Sequence, residues 1–131
     1  MNDRVVAVVA AVIEEDNRFL VTRRLPRTHL AGMWEFPGGK IDPDEPHADA
    51  LRRELREELD VEADIGPLEY ETSHAYPERT VTLYFYRCRL KGHPRPLLGQ
   101  EMRWVARREL ATLGFPPADA ELIDRLVSGV R

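Results

Sequence analysis

Three glutamates, Glu54, Glu57 and Glu58, lie close together in the segment that covers residues 38–61. An α-helix turns about 100° per residue, so positions three and four apart share one face of the helix. A helix at this place would therefore carry a cluster of carboxylates. Carboxylate clusters bind hard divalent cations, and Mg²⁺ is commonly held by one or two carboxylates together with the phosphates of a substrate. The spacing therefore indicates a magnesium site for phosphate chemistry.

The same acidic face has a second interpretation. Acid-rich helix faces are commonly solvated surfaces whose charges pair with neighbouring cations. Arg52, Arg53 and Arg56 could serve in this way. The helix alone therefore leaves both a metal site and an ordinary surface open.

The loop in front of the helix favours the metal site, because glycine and glutamate residues recur across loop and helix at fixed gaps. The positions of this motif are Gly39, Glu45, Arg53, Glu54, Leu55, Glu57, Glu58 and Val61. The motif resembles the Nudix box, the loop–helix–loop signature of hydrolases that act on a nucleoside diphosphate linked to another group. Asp60 stands where the box usually has glycine. Asp tolerates the left-handed conformation of a helix end better than most residues, so we expect this departure to affect stability and not chemistry.

The elements that would position the motif follow from the pattern of apolar residues. Alternation predicts strands, and a period of 3.6 residues predicts helices. The predicted strands cover residues 5–13, 18–24, 65–73, 80–90 and 102–106, and the predicted helices cover 46–59, 108–113 and a final segment from 117 or 118. Proline at position 46 suits the first helical turn. The pattern alone indicates a mixed α and β protein; the resemblance implies the Nudix fold, an α/β fold with a mixed β-sheet sandwiched between α-helices.

Length, charge and cysteine content narrow the class of protein. A chain of 131 residues builds one core, so we expect a single Nudix hydrolase domain over residues 1–131. The net charge of −4 argues against a nonspecific nucleic-acid binder. Cys88 is the one cysteine and cannot form an internal disulfide, which fits a reducing compartment. The apolar run 5–13 is too short to cross a bilayer. We therefore expect a cytoplasmic monomer or homodimer without nucleic-acid or membrane partners.

Several segments outside the box look like the MutT subfamily. They are Arg23-Arg24, His29, residues 34–40, residues 76–79, Gly99-Gln100 and residues 115–118. This resemblance extends over nearly the whole chain. It implies hydrolysis of nucleoside triphosphates, often oxidised or modified ones such as 8-oxo-dGTP, to the monophosphate and pyrophosphate. It also implies a requirement for Mg²⁺ or Mn²⁺.

The resemblance assigns roles to individual residues. The expected metal ligands are Gly38, through its carbonyl, and Glu54, Glu57 and Glu58. The expected catalytic residues are Glu54 as general base, Glu57, and Arg53, which would orient the glutamates through a bidentate pair. The expected nucleotide-binding residues are Arg24, Phe36, Lys40, Arg79 and Asp119.

Three of the nucleotide-binding residues also have plain structural explanations. Lys40 could be a solvated loop residue, and Phe36 could be an ordinary core residue. Asp119 could stabilise a helix N-terminus, an effect worth about 0.3–1 kcal/mol. Sequence leaves these alternatives open.

Two positions depart from the MutT pattern. Leu98 stands where a glutamate is often found and proposed as metal ligand or base, and Glu101 is the nearest substitute. Asp119 stands where the pattern has an asparagine that binds the oxidised guanine. An amide both donates and accepts hydrogen bonds, whereas an ionised carboxylate only accepts. Asp at this position is similar to the CTP pyrophosphohydrolase-type relatives, so hydrolysis of (d)CTP and 5-methyl-dCTP is an alternative. A nucleotide-sensing module with weak or no catalysis is an alternative of another class, which the intact box argues against.

Overall fold

The computed structural model describes residues 4–129, which form a mixed β-sheet with one helix on each face. The strands are β1 Val5–Glu15, β2 Arg18–Arg23, β3 Trp34–Glu35, β4 Gly38–Lys40, β5 Ala63–Tyr76, β6 Arg79–Leu90 and β7 Met102–Ala106. The helices are α1 His47–Leu59 and α2 Ala120–Ser128, and two 3₁₀ segments cover Arg107–Thr112 and Pro117–Asp119. No helix within residues 4–129 is long and apolar enough to span a membrane.

Strand β1 is the centre of the sheet. It runs parallel to β6 and antiparallel to β2 and β4, and the strand order is β3-β2-β1-β6-β5, with β4 paired to β1 and β7 paired to β2. Residues 9–13 are all buried, as expected of a strand covered on both faces. The β-branched run in the sequence therefore becomes the strand on which the other elements assemble.

Alternate residues of β1 point to opposite faces of the sheet and build two cores. Val9, Ala11 and Ile13 pack against α1 through Leu51 and Leu55. On the other face, the second core contains Ala10, Val12, Phe19, Phe85, Leu122 and Leu126. This arrangement is the α/β sandwich that the sequence predicts.

Some element bounds differ from those predicted. Strand β5 covers residues 63–76 instead of 65–73 and contains register shifts around Gly66 and Pro67. Proline is tolerated there because β5 is the edge strand, where one N–H has no ladder partner. Pro46 is the N-cap of α1 and not part of its first turn, and Asp60 ends α1 with a φ of 52°. The segment predicted as a helix at 108–113 is a 3₁₀ segment one residue earlier.

Candidate active site

A cleft of about 390 Å³ opens beside β1 and β4. Its apolar wall lies on the α2 side of the sheet and consists of Val6, Val8, Val81, Leu83 and Phe85, joined by Phe36. Glu54 and Glu58 form the acidic end of the cleft, Glu35 is ion-paired with Arg24 at 2.8 Å, and the other polar and aromatic lining residues are His29, Tyr76, Arg79 and Asp119. The cleft therefore combines an acidic end with polar and aromatic side chains beside an apolar wall.

The glycine pair of β4 allows the acidic end to form. A Cβ atom on Gly38 would lie 2.0 Å from the carbonyl oxygen of Val9, so β4 can approach β1 only without a side chain there. A Cβ atom on Gly39 would lie 2.4 Å from the carboxyl carbon of Glu54. The backbone of β4 therefore fits between β1 and the carboxylate of Glu54.

Arg53 holds the loop and the helix together. Its Nε and NH2 donate to the two oxygens of Glu45, each at 2.9 Å, and its NH1 donates to Glu54 Oε2 at 3.0 Å. NH2 also donates to the carbonyl oxygen of Lys40 at 3.1 Å. Hydrogen bonds from Arg53 lower the pKa of Glu45 to about 2 and, with burial opposing, raise the pKa of Arg53 itself. Such paired, charge-assisted bonds fix geometry well, so Arg53 orients Glu54.

Glu58 lies in an electrostatically unfavourable place for a carboxylate. Burial, a hydrogen bond with Glu54 and repulsion from Glu54 and Glu35 raise the pKa of Glu58 to about 9. No arginine or lysine within residues 4–129 forms an ion pair with Glu58. A divalent cation can bind two adjacent carboxyl groups once Glu58 has lost its proton. The donor set, together with the neighbouring backbone of Gly38, therefore fits a hard cation such as Mg²⁺.

The side chain of Glu57, the third glutamate of α1, does not point into the cleft. The Glu57 side chain is 60% exposed and contacts Arg53 NH1 at 3.3 Å. It does not line the cleft. Within the described part of the chain, no group of three His, Cys, Asp or Glu side chains lies close enough together to hold a metal ion. The structure thus brings Glu54 and Glu58 together and leaves the carboxylate of Glu57 on the outer side of α1.

All five residues predicted to bind the nucleotide line the cleft. Arg24 is fixed by hydrogen bonds from Nε to the His29 carbonyl oxygen and from NH1 to Glu35 Oε1, the latter at 2.8 Å. Arg79 lines the cleft, and its Nε atom is buried without a hydrogen-bond partner. Lys40 also lines the cleft and is exposed. Arg24, Lys40 and Arg79 are therefore the cationic side chains that line this cleft.

Phe36 belongs to both the cleft and the core. It is 3% exposed, stacks on Phe115 at 5.3 Å between ring centroids, and meets Phe85 edge-on at 5.9 Å. The core explanation and the nucleotide-binding explanation therefore do not exclude each other. The ring is a rigid wall held by two other aromatic rings.

Asp119 is a buried carboxyl group that lines the cleft, with 5% of its surface exposed. It makes no side-chain capping hydrogen bond to α2. Burial first, and repulsion from Glu35 second, raise the pKa of Asp119 to about 7. This carboxyl group can therefore be neutral or ionised near neutral pH.

Glu35 and His29 line the cleft but were not predicted as site residues. Glu35 precedes Phe36 in a short apolar stretch, and it is the partner of Arg24 and the source of repulsion on both Glu58 and Asp119. The signal in the sequence that could have identified Glu35 is its position between two aromatic residues, Trp34 and Phe36. His29, which the sequence analysis noted only as part of the resemblance, has a buried Nε2 atom without a hydrogen-bond partner.

The acid sought near position 98 is not in the cleft. The Leu98 side chain is 51% exposed. Glu101 pairs with Arg23 at 3.4 Å, and both side chains are half exposed. Neither Leu98 nor Glu101 lines the cleft, so Glu35 is the carboxylate that accompanies the helix glutamates.

A family model described as the NUDIX domain matches residues 8–125, and the chain belongs to the Nudix family. It is a Nudix hydrolase of the MutT-like type, with an α/β fold. The family and fold predicted from the sequence are confirmed.

Relatives with stated activities cover nearly the whole chain. The CTP pyrophosphohydrolase of Escherichia coli K12 is 34% identical over 128 residues, which are 95% of this chain and 93% of the relative. The 8-oxo-dGTP diphosphatase of Haemophilus influenzae is 35% identical over 130 residues, 98% of this chain and 96% of the relative. The solved structure of the MutT protein of methicillin-resistant Staphylococcus aureus has a TM-score of 0.80 and 35% identity, and the match covers 98% of this chain and 99% of that one.

Proposed function

We propose that this Nudix hydrolase is a Mg²⁺-dependent nucleoside triphosphate pyrophosphohydrolase, which converts a nucleoside triphosphate and water to a nucleoside monophosphate and pyrophosphate. The favoured substrates are oxidised or modified (d)NTPs such as 8-oxo-dGTP. The observation that carries this proposal is that one cleft is lined both by the paired carboxylates of Glu54 and Glu58 and by the buried carboxyl group of Asp119. We further propose that residues 1–131 form one domain and that the enzyme acts in the cytoplasm.

The acidic end would bind the divalent ion. Glu54, Glu58 and the carbonyl of Gly38 are the proposed ligands, and Glu57 remains a predicted ligand and catalytic residue that would have to turn from Arg53 towards the cleft. The ion would neutralise charge on the polyphosphate and so allow water to approach a phosphorus atom. Arg24, Lys40 and Arg79 would bind the remaining phosphate oxygens as cations.

The reaction itself needs one proton acceptor. The water oxygen forms a bond to phosphorus, the bond to the oxygen that bridges monophosphate and pyrophosphate breaks, and the bond electrons stay on the leaving oxygen. Glu54 is the proposed acceptor of the water proton, because Arg53 fixes one of its oxygens at 3.0 Å and the carboxyl group lines the cleft. Arg53 thus acts as a positioning residue.

The base would lie against Phe36 with its polar edge at Asp119. Ionised Asp119 can accept hydrogen bonds from the N1–H and 2-amino groups of a guanine, or from the 4-amino group of cytosine. Neutral Asp119 donates one hydrogen bond and accepts others, as an asparagine amide does. A site built on one pattern rejects bases that leave its buried polar groups unpaired.

Hydrolysis of (d)CTP and 5-methyl-dCTP is the second candidate function. The observation that favours it is the carboxyl group of Asp119 where the 8-oxo-dGTP pattern has an amide, and the relative named CTP pyrophosphohydrolase is 34% identical. Both candidates share the acidic end and the same bond cleavage. They differ only in the base.

A nucleotide panel with Mg²⁺ tests the proposal. Purified protein is incubated with 8-oxo-dGTP, dGTP, dCTP, 5-methyl-dCTP and CTP, and pyrophosphate and phosphate are measured separately. We expect pyrophosphate release that falls roughly 100-fold in Glu58→Gln and is unchanged in Glu62→Gln, a matched change on an exposed side chain next to α1. Tight nucleotide binding without turnover in the unaltered protein would instead support the sensing module.

A further inference from the structure

Gln100 is a buried polar residue without a role in the cleft. Its exposed fraction is 7%, and Thr22 and Asp119 are the other buried polar or charged residues within residues 4–129. It does not line the cleft. A buried amide is costly unless both its oxygen and its nitrogen are hydrogen-bonded, so its partners indicate what it does.

The amide of Gln100 joins its own loop to the end of α1. Its Oε1 accepts from the backbone N–H of Leu98 at 2.9 Å, and its Nε2 donates to the carbonyl oxygen of Glu58 at 3.1 Å. The last carbonyl groups of a helix have no partner within the helix. The same Glu58 oxygen also accepts from Leu97 N at 3.0 Å, and the Leu59 oxygen accepts from Arg95 N at 2.8 Å. Of these three hydrogen bonds to the last carbonyl groups of α1, the one from Gln100 is donated by a side chain and the other two by backbone N–H groups.

The next residue, Glu101, connects the loop to the end of strand β2. The carbonyl oxygen of Glu101 accepts from the backbone N–H of Arg23 at 2.9 Å. Arg24 follows directly and lines the cleft. Gln100 and Glu101 therefore link the last turn of α1, which contains Glu58, to the end of β2, which Arg24 follows directly.

We propose that Gln100 is a positioning residue that fixes the last turn of α1, and with it Glu58, relative to Arg24. The inference rests on the proposed function, because the position of Glu58 matters in this way only if Glu58 binds the divalent ion. A purely structural brace would change stability alone. A positioning residue changes metal affinity beyond what any loss of stability explains.

Three variants separate these roles. Gln100→Leu keeps a similar volume and loses both hydrogen bonds. In Gln100→Glu, a carboxylate oxygen can still accept a hydrogen bond from the backbone N–H of Leu98. The ionised carboxylate has no hydrogen to donate to the backbone carbonyl oxygen of Glu58. Val105→Ala is the matched control, since Val105 is fully buried in the second core, whereas the buried residues of α1 belong to the first core. Melting temperature is measured for all three, so that metal affinities are compared at equal folded fractions.

Mn²⁺ binding without nucleotide, followed by electron paramagnetic resonance of the free ion, is the deciding measurement. We expect the Mn²⁺ dissociation constant to rise about 10-fold in Gln100→Leu and in Gln100→Glu, as is typical for residues that orient metal ligands. We expect no change in Val105→Ala. Mg²⁺ activation of pyrophosphate release should shift in parallel.

The outcomes distinguish this inference from the proposed function. Unchanged Mn²⁺ affinity in both Gln100 variants, beside lost affinity in Glu58→Gln, would overturn the positioning role and leave the proposed function intact. Failure of the unaltered protein to bind Mn²⁺ would overturn both. If Gln100→Leu fails to fold, the comparison of Gln100→Glu with Val105→Ala decides.

Discussion

Replacement of Asp119 by asparagine should stabilise the protein at alkaline pH and leave its stability nearly unchanged at acidic pH. The carboxyl group is 5% exposed, and burial, with repulsion from Glu35, raises its pKa from 3.8 to about 7. A raised pKa means that the folded state prefers the protonated form. The carboxyl group therefore costs nothing below its unfolded pKa of 3.8, and the cost grows as the pH rises to the folded pKa of about 7.

The size of this effect follows from the two pKa values. The difference between 3.8 and about 7 corresponds to about 4 kcal/mol of unfolding free energy once the pH exceeds the folded value. For a domain of this length, such a free energy changes the melting temperature by on the order of 10 °C. Asparagine has nearly the same volume as Asp119 and stays neutral, so the variant escapes this cost.

Urea unfolding of the unaltered protein and of Asp119→Asn at several pH values between 4 and 8 measures the effect. Asp124→Asn on the exposed side of α2 is the matched control and should show no such pH dependence. Other carboxyl groups, such as Glu58, titrate in all three proteins and cancel in the difference. A stability difference between Asp119→Asn and the unaltered protein that stays constant from pH 4 to pH 8 would refute the assigned environment of Asp119.

Three further predictions concern activity. Gly39→Ala should lower kcat by roughly 100-fold, because the added Cβ would lie 2.4 Å from the carboxyl carbon of Glu54 and displace that group. Gly114→Ala is the control, because a Cβ there meets nothing within 4 Å. Equal kcat values for Gly39→Ala and Gly114→Ala would contradict the close approach. Arg53→Lys should lower kcat about 10- to 100-fold with little change in KM for nucleotide, since lysine cannot form the bidentate bond; full activity in steady-state assays would contradict the orienting role. The ratio of kcat/KM for 8-oxo-dGTP to that for dCTP should rise through pH 7 as Asp119 ionises, because the carboxylate accepts from both the N1–H and the 2-amino group of the guanine but only from the 4-amino group of cytosine, and it should be independent of pH in Asp119→Asn; a ratio that varies equally in both proteins would argue against Asp119 as the residue that recognises the base.

The helix and its box could be predicted because both depend on short-range spacing. Helix α1 begins and ends within one residue of the predicted bounds. Its apolar period and a residue at its end that tolerates the left-handed conformation, Asp60, can both be read from the local sequence. The edge strand β5 was predicted too short at both ends, because residues 63–64 and 74–76 belong to the strand through their pairing with β6.

The side-chain directions in the site could not be predicted in the same way. Glu54, Glu57 and Glu58 share a helix face by spacing, yet Glu57 is drawn outwards by Arg53, whose position depends on the distant Glu45. Glu35 was missed because its partner, Arg24, lies in the segment that follows another strand, β2. Contacts between elements decide these cases, and a single sequence does not contain them.

The aromatic stack around Phe36 limits how the substrate range of this enzyme can change. The ring is packed between Phe115 and Phe85 and is part of the core beneath α2. Enlarging the space for a bulkier nucleobase by shrinking this ring would open a void in the core, at a typical cost of about 3–5 kcal/mol. New preferences are therefore more accessible through substitutions at the polar lining residues Asp119 or Arg79, which leave the apolar core filled.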